Sequence, residues 1–237
     1  MAAGLDDERH PLAERFRDFI RAPGFSCVGA KSALARGQLR IVVARDITSA
    51  WDDLRILPEL IDFTRAYREN RQTFQSFAVL FEHPAVLDEA AFETHLWDRL
   101  QSLSDKDEWL GQAVDCRVSQ DPDHPHFSLS FGGEAFFVVG LHPGASRLAR
   151  RFERAALVFN LHDQFEQLRA EGAYNRLRDS IMQRDLALNG TTNPMLARFG
   201  ENSEARQYSG RIVDADWRCP FSGRGAGRNA KDTGHAP

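Results

Sequence analysis

A histidine at the end of an apolar strand is the residue best placed for chemistry. His142 follows an apolar run over residues 135–141 and is itself followed by Pro143. Strand ends open into clefts, and neutral imidazole is a common ligand of metal ions. The alternative is a histidine that caps the strand and hydrogen-bonds to nearby backbone. His142 is therefore a candidate metal ligand.

Three arginines follow this histidine closely, at Arg147, Arg150 and Arg151. Guanidinium groups clamp carboxylates through paired N–H donors, so this run could hold an acidic ligand. An exposed basic helix face is the alternative. A second histidine, His162, lies at the start of a predicted helix with Asn160 as its N-cap. It could act as a ligand, a proton relay or a polar residue of the capping region.

The C-terminal part of the sequence has little periodicity but is rich in functional residue types. Long irregular segments of compact domains are more often functional than filler. Arg206 and Arg211 could clamp further carboxylates, and Tyr208 could donate a proton. Glu201 and Glu204 could pair with a cationic group such as a guanidinium. The alternative is a set of surface ion pairs that fix a long loop.

The three cysteines, Cys27, Cys116 and Cys219, are too scattered for a disulfide framework and form no CxxC pair. Cys27 lies at the predicted start of a helix, where the pKa of a thiol is lowered. Cys219 precedes Pro220 and has aromatic neighbours on both sides. Both could instead be structural thiols.

Hydrophobic periodicity predicts an α+β fold. Apolar β-branched or aromatic runs predict strands over residues 39–44, 74–81, 127–131, 135–141 and 156–160. Helical spacing of apolar residues predicts helices over 10–21, 27–36, 51–67, from 88 onward, 163–170 and 174–188. Gly132-Gly133 between two strands is the strongest hairpin signal. We expect a single domain with a mostly antiparallel sheet of about five strands packed with helices.

The predicted organisation is an N-terminal helix over residues 1–24, a main domain over 25–221 and a disordered tail over 222–237. The net charge of −4 gives no general electrostatic reason to expect nucleic acid or a membrane surface as partner. No apolar run approaches the roughly 20 residues of a membrane helix. The first residues lack the apolar stretch of a secretory signal, so the expected location is the cytoplasm. The common nucleotide, zinc-protease and hydrolase motifs do not occur in the sequence.

Several separated motifs resemble one protein family, in the same order along the chain. They are FSCVGAKSAL near the N-terminus, then SFGGEAFFVVGLHP–ASRLARRF, LVFNLHDQFEQLR, NPML–FGENSEARQYSGR and W-R-CPF. From about residue 25 to 221, the sequence is similar to the YqcI/YcgG family, which includes the heme-dependent N-hydroxylases of guanitoxin and D-cycloserine biosynthesis. The resemblance implies heme b (protoheme IX), dioxygen, an unidentified electron donor and hydroxylation of a guanidino or amine nitrogen on a small molecule. A homodimer is the assembly considered.

The resemblance gives the candidate residues specific roles. His142 ranks first as iron ligand, ahead of Cys27, Cys219 and His162, and thiolate ligation would favour O–O cleavage. The expected cofactor-binding residues are Arg147, Arg150, Arg151, Arg206, Arg211 and Trp217. The expected catalytic residues are Tyr208, His162, His126 and Glu204. A heme-binding or heme-sensing module without turnover is the second hypothesis, because Cys219-Pro220 resembles the Cys-Pro element of reversible heme binders. A small interaction domain that binds no metal ranks third.

Overall fold

A five-stranded sheet, in the order β1-β2-β5-β4-β3, lies at the centre of the computed structural model, which describes residues 7, 9–191, 193, 195 and 200–224. The strands are β1 (Leu39–Asp46), β2 (Ser76–His83), β3 (Leu129–Phe131), β4 (Glu134–Leu141) and β5 (Ala156–Leu161). β1 and β2 pair in parallel, and the other three pairings are antiparallel. All five predicted strands are confirmed, as is the mostly antiparallel α+β fold.

The helices flank this sheet. Within the described ranges they are α1 (Pro11–Arg21), α2 (Val28–Ala35), α3 (Asp53–Glu69), α4 (Glu89–Trp109), α5 (His162–Ala170), α6 (Tyr174–Asn189) and α7 (Ala205–Tyr208). The first six confirm predicted helices. The four-residue α7 was not predicted, because one helical turn has no detectable hydrophobic period.

The β3–β4 hairpin turns on two glycines, as predicted. Gly132 and Gly133 have φ angles of 55° and 86°, the left-handed region that side chains other than glycine rarely adopt. A Cβ on Gly132 would also lie 2.5 Å from Oγ1 of Thr64. The turn therefore requires glycine for both conformation and space, and it brings α3 against the end of β3.

The sheet separates two hydrophobic cores. Helices α3 and α4 cover one face with a large aromatic cluster that includes Phe77, Phe92, Phe136 and Phe159. Helix α1 and the residues around α2 cover the other face with a smaller cluster. Helix α1 belongs to this second core through Leu12, Phe16 and Ile20. Residues alternate between the two cores along each strand, as the pleat requires.

Two further sequence predictions concern membrane-spanning helices and the C-terminal tail. No helix in the described ranges is long and apolar enough to cross a bilayer. The predicted tail begins at residue 222, and residues 225–237 of it lie outside the described part.

The aromatic core yields a prediction about stability. Phe159 is fully buried, and its ring packs edge-on against Phe131 and Phe136 at centroid distances of 5.8 and 6.1 Å. We expect Phe159→Ala to lower the free energy of unfolding by about 3–5 kcal/mol, because it removes buried surface and leaves a cavity. Urea denaturation measures the change. Trp51, which is 82% exposed, is the control position, and Trp51→Ala should change the same free energy by less than about 0.5 kcal/mol. Equal losses in the two variants would contradict this placement of the core.

Candidate functional site

A cavity of about 210 Å³ lies between the sheet and helices α1, α2 and α6. Most of its wall is apolar, with side chains that include Phe16, Ile20, Phe25, Phe137, Val139 and Val158. The polar residues of its lining are Ser26, Cys27, Ser76, Arg147, Arg150, Asn160, Asp185 and Asn193. An apolar chamber with a few convergent polar groups is the usual form of a small-molecule site.

Cys27 is the residue of this lining whose side chain could act as a nucleophile or as a metal ligand. It is the N-cap of α2, and its Sγ accepts a hydrogen bond from the backbone N–H of Ala30 at 3.5 Å. Burial raises the pKa of the Cys27 thiol, while the backbone N–H groups of Gly29 and Ala30 act in the opposite direction. The predicted lowering of its pKa is therefore wrong for the protein alone. A coordinated metal ion would deprotonate the thiol, and these N–H groups would then stabilise the thiolate.

Arg147 joins the cavity wall to α6. Its side chain is buried, forms an ion pair with Asp185 and donates to the carbonyl oxygen of Thr191 at 3.0 Å. A second nitrogen donates to Oγ1 of Thr191 at 3.2 Å. Its Nε has no hydrogen-bond partner among the described residues. The Nε–H of Arg147 is thus a buried donor that remains unused, while the other guanidinium nitrogens bind Asp185 of α6 and Thr191.

Arg150 lines the same cavity but binds backbone. Its guanidinium donates to the carbonyl oxygens of Gln207, Tyr208 and Gly140 at 2.8, 2.9 and 3.3 Å. It therefore fixes the C-terminal end of α7 against β4. Burial lowers the pKa of Arg150 to about 10, so the group remains charged at neutral pH. It contributes positive charge to the cavity wall, although three hydrogen bonds of its guanidinium go to backbone carbonyl oxygens.

Asn160 and Ser76 form a polar pair on the sheet side of the cavity. The prediction of Asn160 as a helix N-cap is wrong, since it lies within β5 and Leu161 is the residue before α5. The hydroxyl of Ser76 donates to Oδ1 of Asn160 at 2.9 Å, across paired positions of β2 and β5. The apolar run ALVFNL could have indicated that Asn160 belongs to the strand. Asparagine is also favoured at helix N-caps, and this preference led to the wrong prediction.

His142 lies on the opposite face of the sheet. Val139 and Leu141 line the cavity, whereas Gly140 and His142 face α4 by strand alternation. The His142 imidazole is 1% exposed and stacks on Phe92 with a centroid distance of 4.3 Å. Burial lowers its pKa, partly offset by the backbone of Leu87. The structure therefore does not bring His142 together with the cavity residues Arg147 and Arg150.

Two of the predicted catalytic residues form a buried network with Ser128. The hydroxyls of Ser128 and Tyr208 donate to Oε2 of Glu204 at 3.1 and 3.4 Å, and the Tyr208 hydroxyl also lies 3.2 Å from the carbonyl oxygen of Phe136. Burial raises the pKa of Glu204 to about 8 and that of Tyr208 well above its usual value. Glu204 is thus mostly protonated at neutral pH, and neither residue lines the cavity.

Three more of the predicted site residues lie outside the cavity as well, namely His162, His126 and Cys219. His162 begins α5 and is buried, which lowers its pKa to about 4 and keeps the imidazole neutral. His126 is exposed and lies near Gly200. Cys219 packs against the aromatic core, and burial raises the pKa of its thiol to about 12. These three side chains are thus separate from Cys27.

The remaining predicted cofactor-binding residues serve other contacts. Arg151 is exposed and donates to the carbonyl oxygen of Ala145 at 2.9 Å. Arg211 forms a forked ion pair with Glu93, its Nε lying 2.8 Å from Oε2. Arg206 stacks over the ring of Trp217, and both line a separate polar groove. Within the described ranges, no group of three or more histidine, cysteine or acidic side chains could hold a metal ion.

Comparison with known proteins adds the family context. The sequence model of the YqcI/YcgG family matches residues 16–222. The chain is 28% identical over 223 residues to the uncharacterized protein YcgG of Bacillus subtilis (strain 168), covering 89% of this chain and 85% of that protein. It is 27% identical over 209 residues to the uncharacterized protein YqcI of the same organism, covering 83% and 80%. No solved structure gives a significant match.

The buried carboxyl of Glu204 yields a prediction about pH. Its pKa rises from the ordinary 4.5 in the unfolded chain to about 8 in the fold. Between these values the unfolded chain releases the proton and the folded protein keeps it, so this group lowers stability as pH rises, by at most about 1.4 kcal/mol per pH unit. Glu204→Gln removes this component. Urea denaturation between about pH 5 and pH 8 should show the variant gaining stability relative to the natural protein as pH rises. Glu171→Gln, at an exposed position, is the control, and a constant difference between Glu204→Gln and the natural protein would contradict the prediction.

Proposed function

The chain belongs to the YqcI/YcgG family, and on that premise we propose that it is a heme-dependent oxygenase that hydroxylates a nitrogen of a guanidino or amine small molecule. Its partners in this proposal are dioxygen and an electron donor of unidentified nature, and its location is the cytoplasm. The observation that carries the proposal is the apolar cavity with the Cys27 thiol, two arginines and a polar pair in its lining. This arrangement supplies the residue types that a heme and a small polar substrate need.

The cavity lining suits a porphyrin in its chemistry. A thiolate at a helix N-terminus accepts backbone N–H bonds, apolar walls match the ring faces, and Arg147 can meet a propionate. The volume of about 210 Å³ lies below the roughly 300–1,000 Å³ of typical ligand pockets. Asp185 is the buried residue that α6 contributes, and the ion pair with Arg147 connects it to the cavity wall. A whole porphyrin would therefore fit only if α6, which contributes Ile181 and Asp185 to the lining, moved away from the cavity wall.

Cys27 replaces His142 as our first choice of iron ligand. His142 is 1% exposed and lies against Phe92 on the opposite face of the sheet, so its imidazole does not border the cavity. Cys27 is half-buried and borders the cavity. Cys219 is a weaker choice since it packs against the opposite core, away from Arg147 and Arg150.

Each cavity residue has a distinct part in the proposed reaction. Bound heme would supply dioxygen activation, and thiolate ligation favours O–O cleavage. The N–H groups of Gly29 and Ala30 hold the Cys27 sulfur in place, and the apolar walls exclude water from the reacting nitrogen. Arg147 offers its buried Nε to a carboxylate, and the charge of Arg150 adds to the attraction.

A second candidate function is heme binding or sensing without turnover. One observation favours it: the four expected catalytic side chains, at Tyr208, His162, His126 and Glu204, do not line the cavity. An oxygenase needs a route for protons, and these residues do not provide one within the chamber. The two functions share the cofactor and differ in the product.

The cofactor and its ligand are tested by spectroscopy. Protein purified after growth with a heme precursor should show a Soret band, and Cys27→Ala should lose the heme or the thiolate signature of the ferrous–CO form. Cys219→Ala is the matched control and should retain both. Colourless natural protein that takes up no hemin would reject the proposal. A Cys27→Ala variant with the natural ferrous–CO spectrum would exclude Cys27 as the ligand.

Turnover separates the two candidate functions. Heme-loaded protein, a chemical reductant and dioxygen should convert a guanidino compound or an amine into a product heavier by one oxygen, detected by mass spectrometry. Heme-loaded Cys219→Ala should be active and Cys27→Ala should not. Absence of product across guanidines and amines, with heme bound, would favour the binding module.

A further inference from the structure

Helix α6 borders the cavity, yet it buries very little of its own surface. All sixteen of its residues lie in the described ranges, and of these only Asp185 is buried. The shorter α1, by contrast, buries four of its eleven residues. Helices in proteins are stabilised mainly by packing an apolar face, which α6 does to a small extent. Its position therefore depends on other contacts.

Polar contacts with the segment after β4 hold the C-terminal end of α6. Arg147 forms an ion pair with Asp185 and donates to the carbonyl oxygen of Thr191 at 3.0 Å. The backbone N–H of Leu148 donates to Oδ1 of Asn189 at 2.9 Å, and Nδ2 of Asn189 donates to Oδ1 of Asp185 at 2.8 Å. The latch, as we call these five residues, is largely buried, with 9% and 12% of the Arg147 and Asp185 side chains exposed. Loss of either charge would leave the other buried and unpaired.

Two glycines bound α6 and give it places to bend. Gly172 precedes the helix and Gly190 follows it, with φ angles of 66° and 71°. A Cβ at either position would meet no atom of the described residues within 4 Å, so the backbone there is not confined by neighbours. Residues at the ends of elements are the usual hinges of moving segments. At the N-terminal end, Tyr174 also packs under the guanidinium of Arg169 from α5, at 4.5 Å, which provides a pivot.

The face that α6 turns toward the cavity has a charged residue at its centre. Ile181 and Asp185 lie one helical turn apart and both line the cavity. Leu188, on the same side of the helix, lies beside Gly24. The ion-pair partner of Asp185 is Arg147 in the opposite wall. Closure of this face against the wall therefore depends on one ion pair and its hydrogen bonds.

We infer that α6 is a lid that controls access to the cavity and to Cys27, with the Arg147–Asp185 ion pair at the centre of its latch. In the closed position the lid limits the cavity to about 210 Å³. When the pair separates, α6 moves on its two glycine hinges and the chamber opens on the side of Ile181. The identity of the guest rests on the proposed function: the open lid admits the porphyrin, and a propionate competes with Asp185 for Arg147.

The three cysteines lie in three different environments and can report the motion. Cys27 borders the cavity, Cys116 is exposed and Cys219 packs against the aromatic core. Heme-free protein is treated with N-ethylmaleimide, and mass spectrometry of the digested protein gives the alkylation rate at each cysteine. Opening of the lid raises the rate at Cys27 alone, whereas unfolding of the domain raises the rates at Cys27 and Cys219 together. Cys116 measures the reactivity of the reagent.

Variants of the latch should accelerate alkylation of Cys27. We expect Asp185→Asn to raise its rate at least about tenfold, because the charge of Arg147 is left unpaired. Arg147→Gln should raise it as well. These two changes remove charges of opposite sign and would shift the pKa of the thiol in opposite directions, so acceleration in both identifies opening of the lid. Asn189→Ala, which removes the bond to Leu148, should raise the rate about threefold.

Asp179→Asn is the matched control, since it is the same substitution on the same helix and the Asp179 side chain is 66% exposed. Its Cys27 rate should stay within about twofold of the natural value. Rates within about twofold of the natural value in all latch variants overturn the inference. So do opposite changes in Asp185→Asn and Arg147→Gln, or a rise that Cys219 or Asp179→Asn matches. If one latch variant does not fold, the others decide by the same criteria.

Uptake of hemin separates failure of this inference from failure of the proposed function. Stopped-flow mixing of heme-free protein with hemin should show uptake about tenfold faster in Asp185→Asn than in the natural protein and Asp179→Asn. Accelerated alkylation of Cys27 in a protein that takes up no hemin supports the lid and rejects the heme proposal. Hemin uptake together with unchanged alkylation in the latch variants overturns the lid and leaves the heme proposal standing.

Discussion

The alternation of side chains along β4 decides which residues can act together. Successive residues of a strand point to opposite faces, so a single position separates the cavity from the aromatic core. Leu141 borders the cavity, while His142, the next residue, lies beneath α4 against Phe92. The short segment after β4 then returns Arg147 and Arg150 to the cavity side. Neighbours in sequence are therefore separated by the sheet, and Cys27, distant in sequence, joins the arginines.

Most of the arginines that the sequence offers as ligand-binding residues instead contact other parts of the protein. Arg150 binds carbonyl oxygens of α7 and β4, Arg211 is forked onto Glu93, and Arg206 stacks on Trp217. The first two contacts tie the C-terminal segment to the rest of the domain, and the third lies within that segment. Arg147 differs because its ion pair with Asp185 faces the cavity and its Nε is unpaired within the described ranges. The positive charge near the cavity thus comes from arginines that also hold parts of the fold together.

The sequence predicted the elements of the fold, but it could not predict which of the candidate site residues the fold brings together. The strands and the long helices follow from hydrophobic period, and Gly132-Gly133 indicated the hairpin because its backbone excludes other residues. The choice between His142 and Cys27 depended on which face each residue occupies, and this requires the strand order. Asn160 was misassigned since asparagine before a helix suits a cap, whereas pairing with β2 and β4 kept it in a strand. Tyr208 and Glu204 resembled exposed loop residues, but burial made them part of the core.

The strand order also has a consequence for the sequence of events in folding. β3, β4 and β5 are consecutive in sequence and pair with their neighbours. β2 pairs with β5, and the chain between these two strands includes α4, β3 and β4. Closing longer loops costs more chain entropy, so we expect the antiparallel half to assemble before the parallel pair docks. The cavity takes Ser76 from the later half, and Phe137 and Asn160 from the earlier half. A chamber completed by the last docking event stays open to solvent until then, so the order of folding decides when its walls close.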